Sequence, residues 1–242
     1  MELRLQVFLA RAGAGSRRRM ERAMAEGRVT VDGRLVKEMG VKVDPERAVV
    51  ALDGRTVQLP TSHTYVILNK PRGVLSTARD HRGRRTVVDL LPARLRKARL
   101  YPVGRLDLDS DGLILMTDHG ELAHRLTHPR FQHEREYRVI VSAKPNQAAL
   151  DRLNRGIKLE DGMTAPATVE LLEGDGSTNE LRVVLREGKK RQIRRMLSAC
   201  GLRAVSLRRI RLGGIELGEL GPSQARELNA GERRRLLANV GM

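Results

Sequence analysis

GRLDLDSDGLILMTDHG, residues 104–120, places three aspartates at alternate positions, Asp107, Asp109 and Asp111, and then enters the apolar run LILM. These acids and the glycine after them match the calcium loop D-x-D-x-D-G-x5-E at every position but the last, where Asp118 replaces glutamate. The alternative is that one aspartate does chemistry of its own, on a turn that leads into a buried strand. The choice between them decides both fold and function.

A calcium loop of this kind lies between two helices. Ahead of Asp107 the chain reads RLYPVGR, in which Pro102 and Gly104 both disfavour a helix. The LILM run is short, continuous and apolar, which is typical of a central strand. We therefore predict no metal site and interpret Asp109 and Asp111 as exposed turn acids beside arginines. From its position alone, Asp107 is either a catalytic acid or a structural ion-pair acid.

The composition indicates a polyanionic partner. Lys and Arg number 46 against 29 Asp and Glu, a formal charge of +17 that attracts nucleic acid or an anionic membrane. The sequence has no apolar run long enough to span a bilayer, and the lone Cys200 excludes an internal disulfide or a cysteine zinc site. Only 2% of residues are aromatic, so stacking modules are disfavoured. We expect a soluble, cytoplasmic nucleic-acid-binding protein.

Residues 1–60 read as a small N-terminal domain, and LPTSH (59–63) reads as a linker. An apolar stripe predicts a helix over 3–12, and Ser16 is the expected N-cap of a second helix that ends at Gly27. Two Asp-Gly pairs between alternating β-branched residues predict two hairpins.

LARAGAGSRRRMERAMAEGRVTVDG, within residues 1–60, resembles the S4 RNA-binding domain. A cluster of cations at a helix N-terminus suits phosphate, although a solvated helical face is an equally ordinary interpretation. The RNA-contacting residues expected in this domain are Arg11, Ser16, Arg17, Arg18 and Arg28.

Residues 61–242 mix strands and helices without a regular βαβ period, so the predicted class is α+β, with a mixed, mainly antiparallel sheet and flanking helices. Strands are expected at TYVILNK, LILM, REYRVIVSA, 165–172, 180–186 and 203–215. Helices are expected over 87–91 up to Pro92, over 119–128 up to Pro129, from Pro145 to Gly156, and over the basic segment 189–201.

GRLDLDSDGLILMT is similar to the G-R-L-D-x-x-[ST]-x-G-L-L-L-x-T signature of pseudouridine synthases. KPRGVLST (70–77), EREYRV (134–139) and EGKKRQIRRM (187–196) match further motifs in the same order. The whole chain thus resembles the RsuA/RluB-type ribosomal RNA pseudouridine synthases, in which an S4 domain precedes the catalytic domain. The family commonly has T-x-D-G after the strand, whereas Thr117 here is followed by Asp118 and His119.

The resemblance implies that Asp107 carries out uridine isomerisation with no cofactor or metal. An ionised carboxylate can attack or stabilise the sugar centre, and attack on C1′, attack on C6 and assisted elimination all stay open. Arg194 is the expected cationic partner of Asp107. On the predicted helix it flanks the core pair Ile193 and Leu197. Arg191 and Arg195 share another face of that helix, and Arg194 points away from it. Its alternative is an ordinary surface arginine. Tyr137 is expected to stack on the uracil and to remove its proton, or else to be a core tyrosine.

Further RNA contacts follow from the same motifs. Arg105 is expected either to enter the RNA stack that the flipped base leaves or to contact phosphate. Lys70 and Arg72 are assigned to the RNA backbone, and Lys190 and Arg191 to RNA along the basic helix.

The function expected is therefore conversion of a specific ribosomal RNA uridine, in a stem-loop or bulge, to pseudouridine. The large subunit (23S) is favoured over the small subunit. The substrate is the RNA itself or a ribosomal assembly intermediate, and the enzyme is a monomer with no membrane partner. The rival interpretation is a non-catalytic RNA-binding or ribosome-assembly factor on the same fold.

Overall fold

A computed structural model describes residues 2–172 and 179–242. The chain divides into two compact units, Met1–His63 and Thr64–Met242. Each unit has its own hydrophobic core.

The first unit packs two helices on small strands. Its elements are β1 (Leu3–Arg4), α1 (Leu5–Arg11), α2 (Arg17–Ala25), β2 (Val29–Val31), β3 (Arg34–Leu35), β4 (Lys42–Val43), β5 (Val50–Leu52) and β6 (Arg55–Thr56). The Ser16 hydroxyl accepts a hydrogen bond from the backbone N–H of Arg19 at 3.3 Å, so its prediction as the N-cap is confirmed. The helix predicted over 3–12 begins later than expected, because Leu3 and Arg4 pair with β4 as a short strand.

Both predicted hairpins are present. Asp32-Gly33 joins β2 to β3 and Asp53-Gly54 joins β5 to β6, and all four residues have positive φ (50°, 78°, 51° and 75°). Positive φ at both central residues is the requirement of the type I′ turn, which matches the twist of the strands it joins. The apolar sides of these strands pack with Phe8, Met20 and neighbouring helix residues into the core of the first unit.

The second unit is built from five helices and eleven strands in its described residues. The helices are α3 (Ala93–Arg96), α4 (Gly120–Thr127), α5 (Gln147–Arg155), α6 (Gln192–Ser198) and α7 (Ala230–Asn239). The strands are β7 (Tyr65–Lys70), β8 (Tyr101–Pro102), β9 (Asp111–Thr117), β10 (Arg135–Val141), β11 (Lys158–Leu159), β12 (Gly162–Met163), β13 (Thr168–Leu171), β14 (Glu180–Leu185), β15 (Ala204–Leu212), β16 (Ile215–Glu216) and β17 (Ala225–Glu227).

Nine of these strands form one sheet in the order β13-β14-β10-β15-β9-β7-β17, with β16 beside β15 and β8 beside β9. Every strand pairing in this sheet is antiparallel except that of β15 with β9. The predicted α+β class with a mainly antiparallel sheet is confirmed.

The LILM run is the central strand that its composition predicts. Leu113 and Leu115 of β9 pack into the cluster that also holds α4 and α7 residues, whereas Ile114 and Met116 pack on the other face. Because both faces are covered, the strand is apolar at successive positions instead of alternating. The turn that carries the three aspartates therefore ends at a rigid, fully buried element.

Two local predictions are wrong. Residues 87–91 form turns instead of a helix, because the Asp89 carboxylate accepts hydrogen bonds from the backbone N–H and hydroxyl of Thr86 (2.7 and 2.9 Å). The helix α3 follows Pro92 instead of stopping there. At α5 the N-cap is Asn146, whose side chain accepts from Ala149 N–H, so Pro145 lies outside the helix.

Candidate active site

A cavity of about 650 Å³ opens in the second unit, beside the turn that precedes β9. It is large enough for a nucleotide. Its lining brings together six residues that the sequence singled out, namely Arg105, Asp107, Tyr137, Lys190, Arg191 and Arg194. Two others, Lys70 and Arg72, are not part of the lining.

The turn at Asp107 is fixed through its backbone. Gly104 has φ +73°, and the Ser76 hydroxyl donates to the carbonyl of Leu106 at 2.8 Å while accepting from its N–H. The Asp107 carbonyl accepts from the N–H of Ser110 at 3.1 Å. The Asp107 side chain is one-third exposed (33%), so a held backbone presents its carboxylate to the cavity.

Lys70 does not contact solvent, so its assignment to the RNA backbone is wrong. It is 0% exposed, and its ammonium donates to the carbonyls of Pro71, Asp107 and Ser110 at 3.0, 3.2 and 2.7 Å. Burial lowers the pKa of Lys70 to about 8, against the opposing effect of nearby aspartates. A buried cation that binds three carbonyls at this turn holds the Asp107 loop in place.

The expected ion pair between Asp107 and Arg194 is absent from the structure. Arg194 pairs with Asp109, with Nε 3.3 Å from the carboxylate and Nη2 donating to the Asp109 carbonyl at 3.0 Å. Its Nη1 donates to the carbonyl of Ala204 at 3.0 Å, which leaves the side chain 16% exposed. Arg194 thus lies near this turn, but the carboxylate that it meets is Asp109 instead of Asp107.

A guanidinium nitrogen of Arg191 lies 4.0 Å from the Asp107 carboxylate, and Arg191 donates two hydrogen bonds to the Asp109 carboxylate, at 3.0 and 2.9 Å. It has φ +50° and precedes α6 as the N-cap, so it does not share a helical face with Arg195, contrary to expectation. Hydrogen bonds from Arg191, with the charge of Arg194, lower the pKa of Asp109. Asp109 is thus ion-paired with Arg191 and Arg194, whereas it was predicted to be an exposed turn acid.

Tyr137 lies in the middle of β10, 8% exposed, with its side chain at the cavity. Its cross-strand neighbours are Val183 on β14 and Arg209 on β15. Arg135, two residues earlier on the same face, donates to the carbonyls of Leu126 and His133, and burial lowers its pKa. A largely buried tyrosine between two arginines forms this wall of the cavity.

The cavity is strongly cationic. Two acids line it, Asp107 and Glu187, against seven basic residues: Arg105, Arg135, Lys189, Lys190, Arg191, Arg194 and Arg209. A low-dielectric cleft lined by one sign of charge attracts the opposite sign, here a phosphodiester chain. Arg209 was not predicted to line the site; the available signal was its position two residues after the apolar Leu207, on the same face of a predicted strand.

The remaining predicted RNA contacts lie on the surface. Arg105 is exposed at the cavity, and Arg72 is half-exposed and pairs with Asp111 at 3.4 Å, so Asp111 is not a free turn acid either. In the first unit, Ser16, Arg17 and Arg18 are exposed and Arg11 is partly buried.

Arg28, a predicted RNA contact in the first unit, is ion-paired within the protein. It donates to both Asp53 carboxylate oxygens (2.7 and 2.6 Å) and to Glu26. The hydrogen bonds to Asp53 and Glu26 raise the pKa of Arg28, and both acids offset its charge.

The three aspartates do not converge. Over residues 2–172 and 179–242 there is no group of three His, Cys, Asp or Glu that could hold a metal ion. Among the same residues, no helix is long and apolar enough to cross a membrane.

Residues 64–199 match the family model described as RNA pseudouridylate synthase, and residues 3–49 match the S4 domain. An uncharacterized RNA pseudouridine synthase of Aquifex aeolicus (strain VF5) is 41% identical, over 100% of this chain and 96% of its own. The ribosomal large subunit pseudouridine synthase B of Bacillus subtilis (strain 168) is 40% identical, over 97% and 96%. A crystal structure of pseudouridylate synthase is similar with a TM-score of 0.70 at 29% identity, covering 97% of this chain and 99% of that one.

Proposed function

Because the chain belongs to the RNA pseudouridylate synthase family and begins with an S4 domain, we propose that it converts a uridine of large-subunit (23S) ribosomal RNA to pseudouridine. The relative from Bacillus subtilis, named for the large subunit, supports this choice of RNA. The observation that carries the proposal is that Asp107 and Tyr137 line one cavity whose other charged residues are nearly all cations. The proposal extends to a monomer that works in the cytoplasm during ribosome biogenesis.

Asp107 is the group that acts at the ribose. Its carboxylate is presented to the cavity by a turn whose backbone is held, and a guanidinium nitrogen of Arg191 lies 4.0 Å away. The neighbouring Asp109 holds the cations Arg191 and Arg194 by direct ion pairs. The Asp107 carboxylate therefore keeps its oxygens available to the sugar, where an ionised acid can attack or stabilise the reacting carbon.

Tyr137 forms part of the wall of the same cavity. A phenol ring that is largely buried and faces the cavity can stack on a flipped base, and its hydroxyl can receive the proton that C5 loses. The uridine must leave its helix to reach these groups, which favours a stem-loop or bulge. Arg105, exposed at the cavity, is positioned to contact the RNA that surrounds the flipped nucleotide.

The experiment replaces Asp107 by asparagine, which keeps the shape and removes the charge. Asp107→Asn is expected to reduce pseudouridine formation to background while RNA affinity changes by no more than a few-fold. The matched control is Asp151→Asn, an exposed acid on α5 outside the cavity lining, which should behave as wild type.

Pseudouridine is mapped by carbodiimide-blocked primer extension on 23S and 16S transcripts and on assembly intermediates. Modification of 16S RNA alone would reject the large-subunit assignment. Turnover retained by Asp107→Asn would refute the role of Asp107. If the wild type binds RNA but forms pseudouridine on none of these substrates, the protein is a non-catalytic RNA-binding factor instead of an enzyme.

A further inference from the structure

Arg209 is a buried arginine at the cavity that the roles above leave unused. It is 2% exposed, on the central strand β15, and lines the cavity together with Leu207 and Leu212 of the same strand. In the register of β15 with β10 it lies directly opposite Tyr137. Directly opposed side chains share a face of the sheet, with Cβ atoms roughly 5 Å apart.

The guanidinium of Arg209 is only partly used by the protein. Its Nε donates to the carbonyl of Leu113 at 2.8 Å, which fixes the side chain against β9. Its Nη2 is buried and has no hydrogen-bond partner among the described residues. A buried donor without a partner is costly, and such a group in a cavity wall is available to a ligand.

The strand pairing makes this placement rigid. Gly112, the parallel partner of Arg209, has φ +104°, and a Cβ there would lie 2.2 Å from the Arg209 carbonyl oxygen. The close approach of the two backbones joins the strand after the Asp107 turn to the strand beside Tyr137. Arg209 is thus held in one orientation relative to both.

The charge of Arg209 is not compensated locally. No ion pair in residues 2–172 and 179–242 joins Arg209 or Arg135 to a carboxylate. Burial lowers the pKa of Arg135, and the charge of Arg209 acts in the same direction. A buried cation and a partly buried one, neither paired with an acid, favour a ligand that carries negative charge.

The proposed reaction generates such a charge whichever way Asp107 acts. When the C1′–N1 bond breaks, its electron pair stays with N1, and the detached uracil is an anion with charge spread over its two carbonyl oxygens. The ring then bonds to C1′ through C5, the C5 proton passes to a base, and N1 takes up a proton, which leaves a neutral product. The detached base carries negative charge from cleavage of the C1′–N1 bond until C5 bonds to C1′, whereas the bound uridine carries none, so a fixed cation that meets this charge accelerates the reaction.

We propose that Arg209 is a catalytic residue whose Nη2 donates a hydrogen bond to a carbonyl oxygen of the uracil ring as the glycosidic bond breaks. The inference rests on the proposed function and deepens it, because it assigns the charge on the leaving base to a named guanidinium. Arg135 reinforces the positive potential at the same wall.

The test compares two leaving bases in a single turnover. Arg209→Gln and wild type are given the same RNA with uridine or 5-fluorouridine at the target, and the rate of glycosidic cleavage is measured. Fluorine withdraws electrons and stabilises the base anion, so less help is needed from the protein. Removal of one preorganised donor should slow cleavage of uridine by about 10²- to 10³-fold. The ratio of the wild-type rate to the Arg209→Gln rate should be smaller with 5-fluorouridine than with uridine, by about tenfold or more.

Equal deficits on both bases would overturn the proposal, since a structural role slows both alike. Arg208→Gln, at the exposed neighbouring position on β15, is the matched control and should cleave both bases as wild type does. Should Arg209→Gln fail to fold, Arg209→Lys carries the test. The one nitrogen of lysine cannot occupy the positions of both Nε and Nη2, so it cannot reproduce the fixed donor that Nη2 aims at the base, and the same unequal deficits are expected.

A wild type that forms no pseudouridine from the uridine RNA would instead contradict the proposed function. The behaviour of the wild-type protein therefore tells whether the proposed function has failed or only the role of Arg209.

Discussion

Replacement of Lys70 by methionine tests whether this lysine holds the active-site turn or binds RNA. The ammonium is buried and donates to three carbonyls, two of them at Asp107 and Ser110. Lys70→Met fills a similar volume but provides no donor. Because a displacement near 1 Å of a reacting group can cost about 10²-fold in rate, pseudouridine formation should fall by that order. Affinity for RNA should not change, since the side chain does not contact solvent.

The pH dependence of stability gives a magnitude specific to Lys70. Its pKa is about 8 in the native protein and about 10.4 when unfolded. Between these values the unfolded chain holds the proton that the native protein has released, so the free energy of unfolding increases with pH. From pH 7 to pH 9 the increase is about 1.3 kcal/mol, from a limiting slope near 1.4 kcal/mol per pH unit. Below pH 7 both states are protonated and this term is constant.

The assay is urea unfolding of wild type and Lys70→Met at pH 7 and pH 9, followed by tyrosine fluorescence. The three tyrosines, Tyr65, Tyr101 and Tyr137, all lie in the second unit, and the chain has no tryptophan, so the signal reports that unit. Other titrating groups are common to both proteins and cancel in the difference. Lys158→Met, at an exposed position, should show no pH-dependent difference from wild type.

If the difference in the free energy of unfolding between wild type and Lys70→Met is the same at pH 7 and pH 9, the buried position of Lys70 is refuted. Weakened RNA binding with a normal single-turnover rate would restore its original assignment to the RNA backbone.

Two further predictions concern the sheet and the S4 domain. Gly112→Ala should lower the free energy of unfolding by about 3 kcal/mol or more, because Gly112 has φ +104° and a Cβ there would lie 2.2 Å from the Arg209 carbonyl oxygen. Gly73→Ala is the control, since a Cβ there has no atom within 4 Å, and it should cost about 1 kcal/mol. Urea unfolding measures both. Equal costs would contradict the close strand approach. The double variant Arg17→Gln/Arg18→Gln should reduce the slope of log affinity against log salt by about 1.5, as expected for two phosphate contacts. An unchanged slope would remove these residues from the RNA interface.

Much of the fold follows from local sequence, because the relevant forces are local. The Ser16 cap, the Asp-Gly turns and the uniformly apolar β9 each depend on a few adjacent residues, and each is found where the pattern places it. The helix predicted over 87–91 failed for an equally local reason. The apolar spacing was right, but the Asp89 side chain bonds the Thr86 backbone and stabilises a turn instead.

Side-chain partners were harder to predict than elements, because they depend on where distant strands meet. A lysine exposed in a turn and a lysine buried beneath that turn have the same sequence neighbours, so Lys70 was misassigned to the RNA backbone. Local sequence also did not indicate that Arg191 has a left-handed φ ahead of α6, or that Arg194 pairs with Asp109 instead of Asp107. Arg209 became visible only when β15 paired with both β9 and β10.

The three alternating aspartates of residues 104–120 fit the sequence pattern of a calcium loop, but they have a different structural role. In a calcium loop the carboxylates turn inward to one ion. Here Asp109 turns to Arg191 and Arg194, Asp111 turns to Arg72, and the backbone between them bonds the buried ammonium of Lys70. The flanking acids thus bind the arginines that would otherwise close over the first carboxylate. With these cations held to either side, the Asp107 carboxylate stays accessible at the cavity, 4.0 Å from the Arg191 guanidinium.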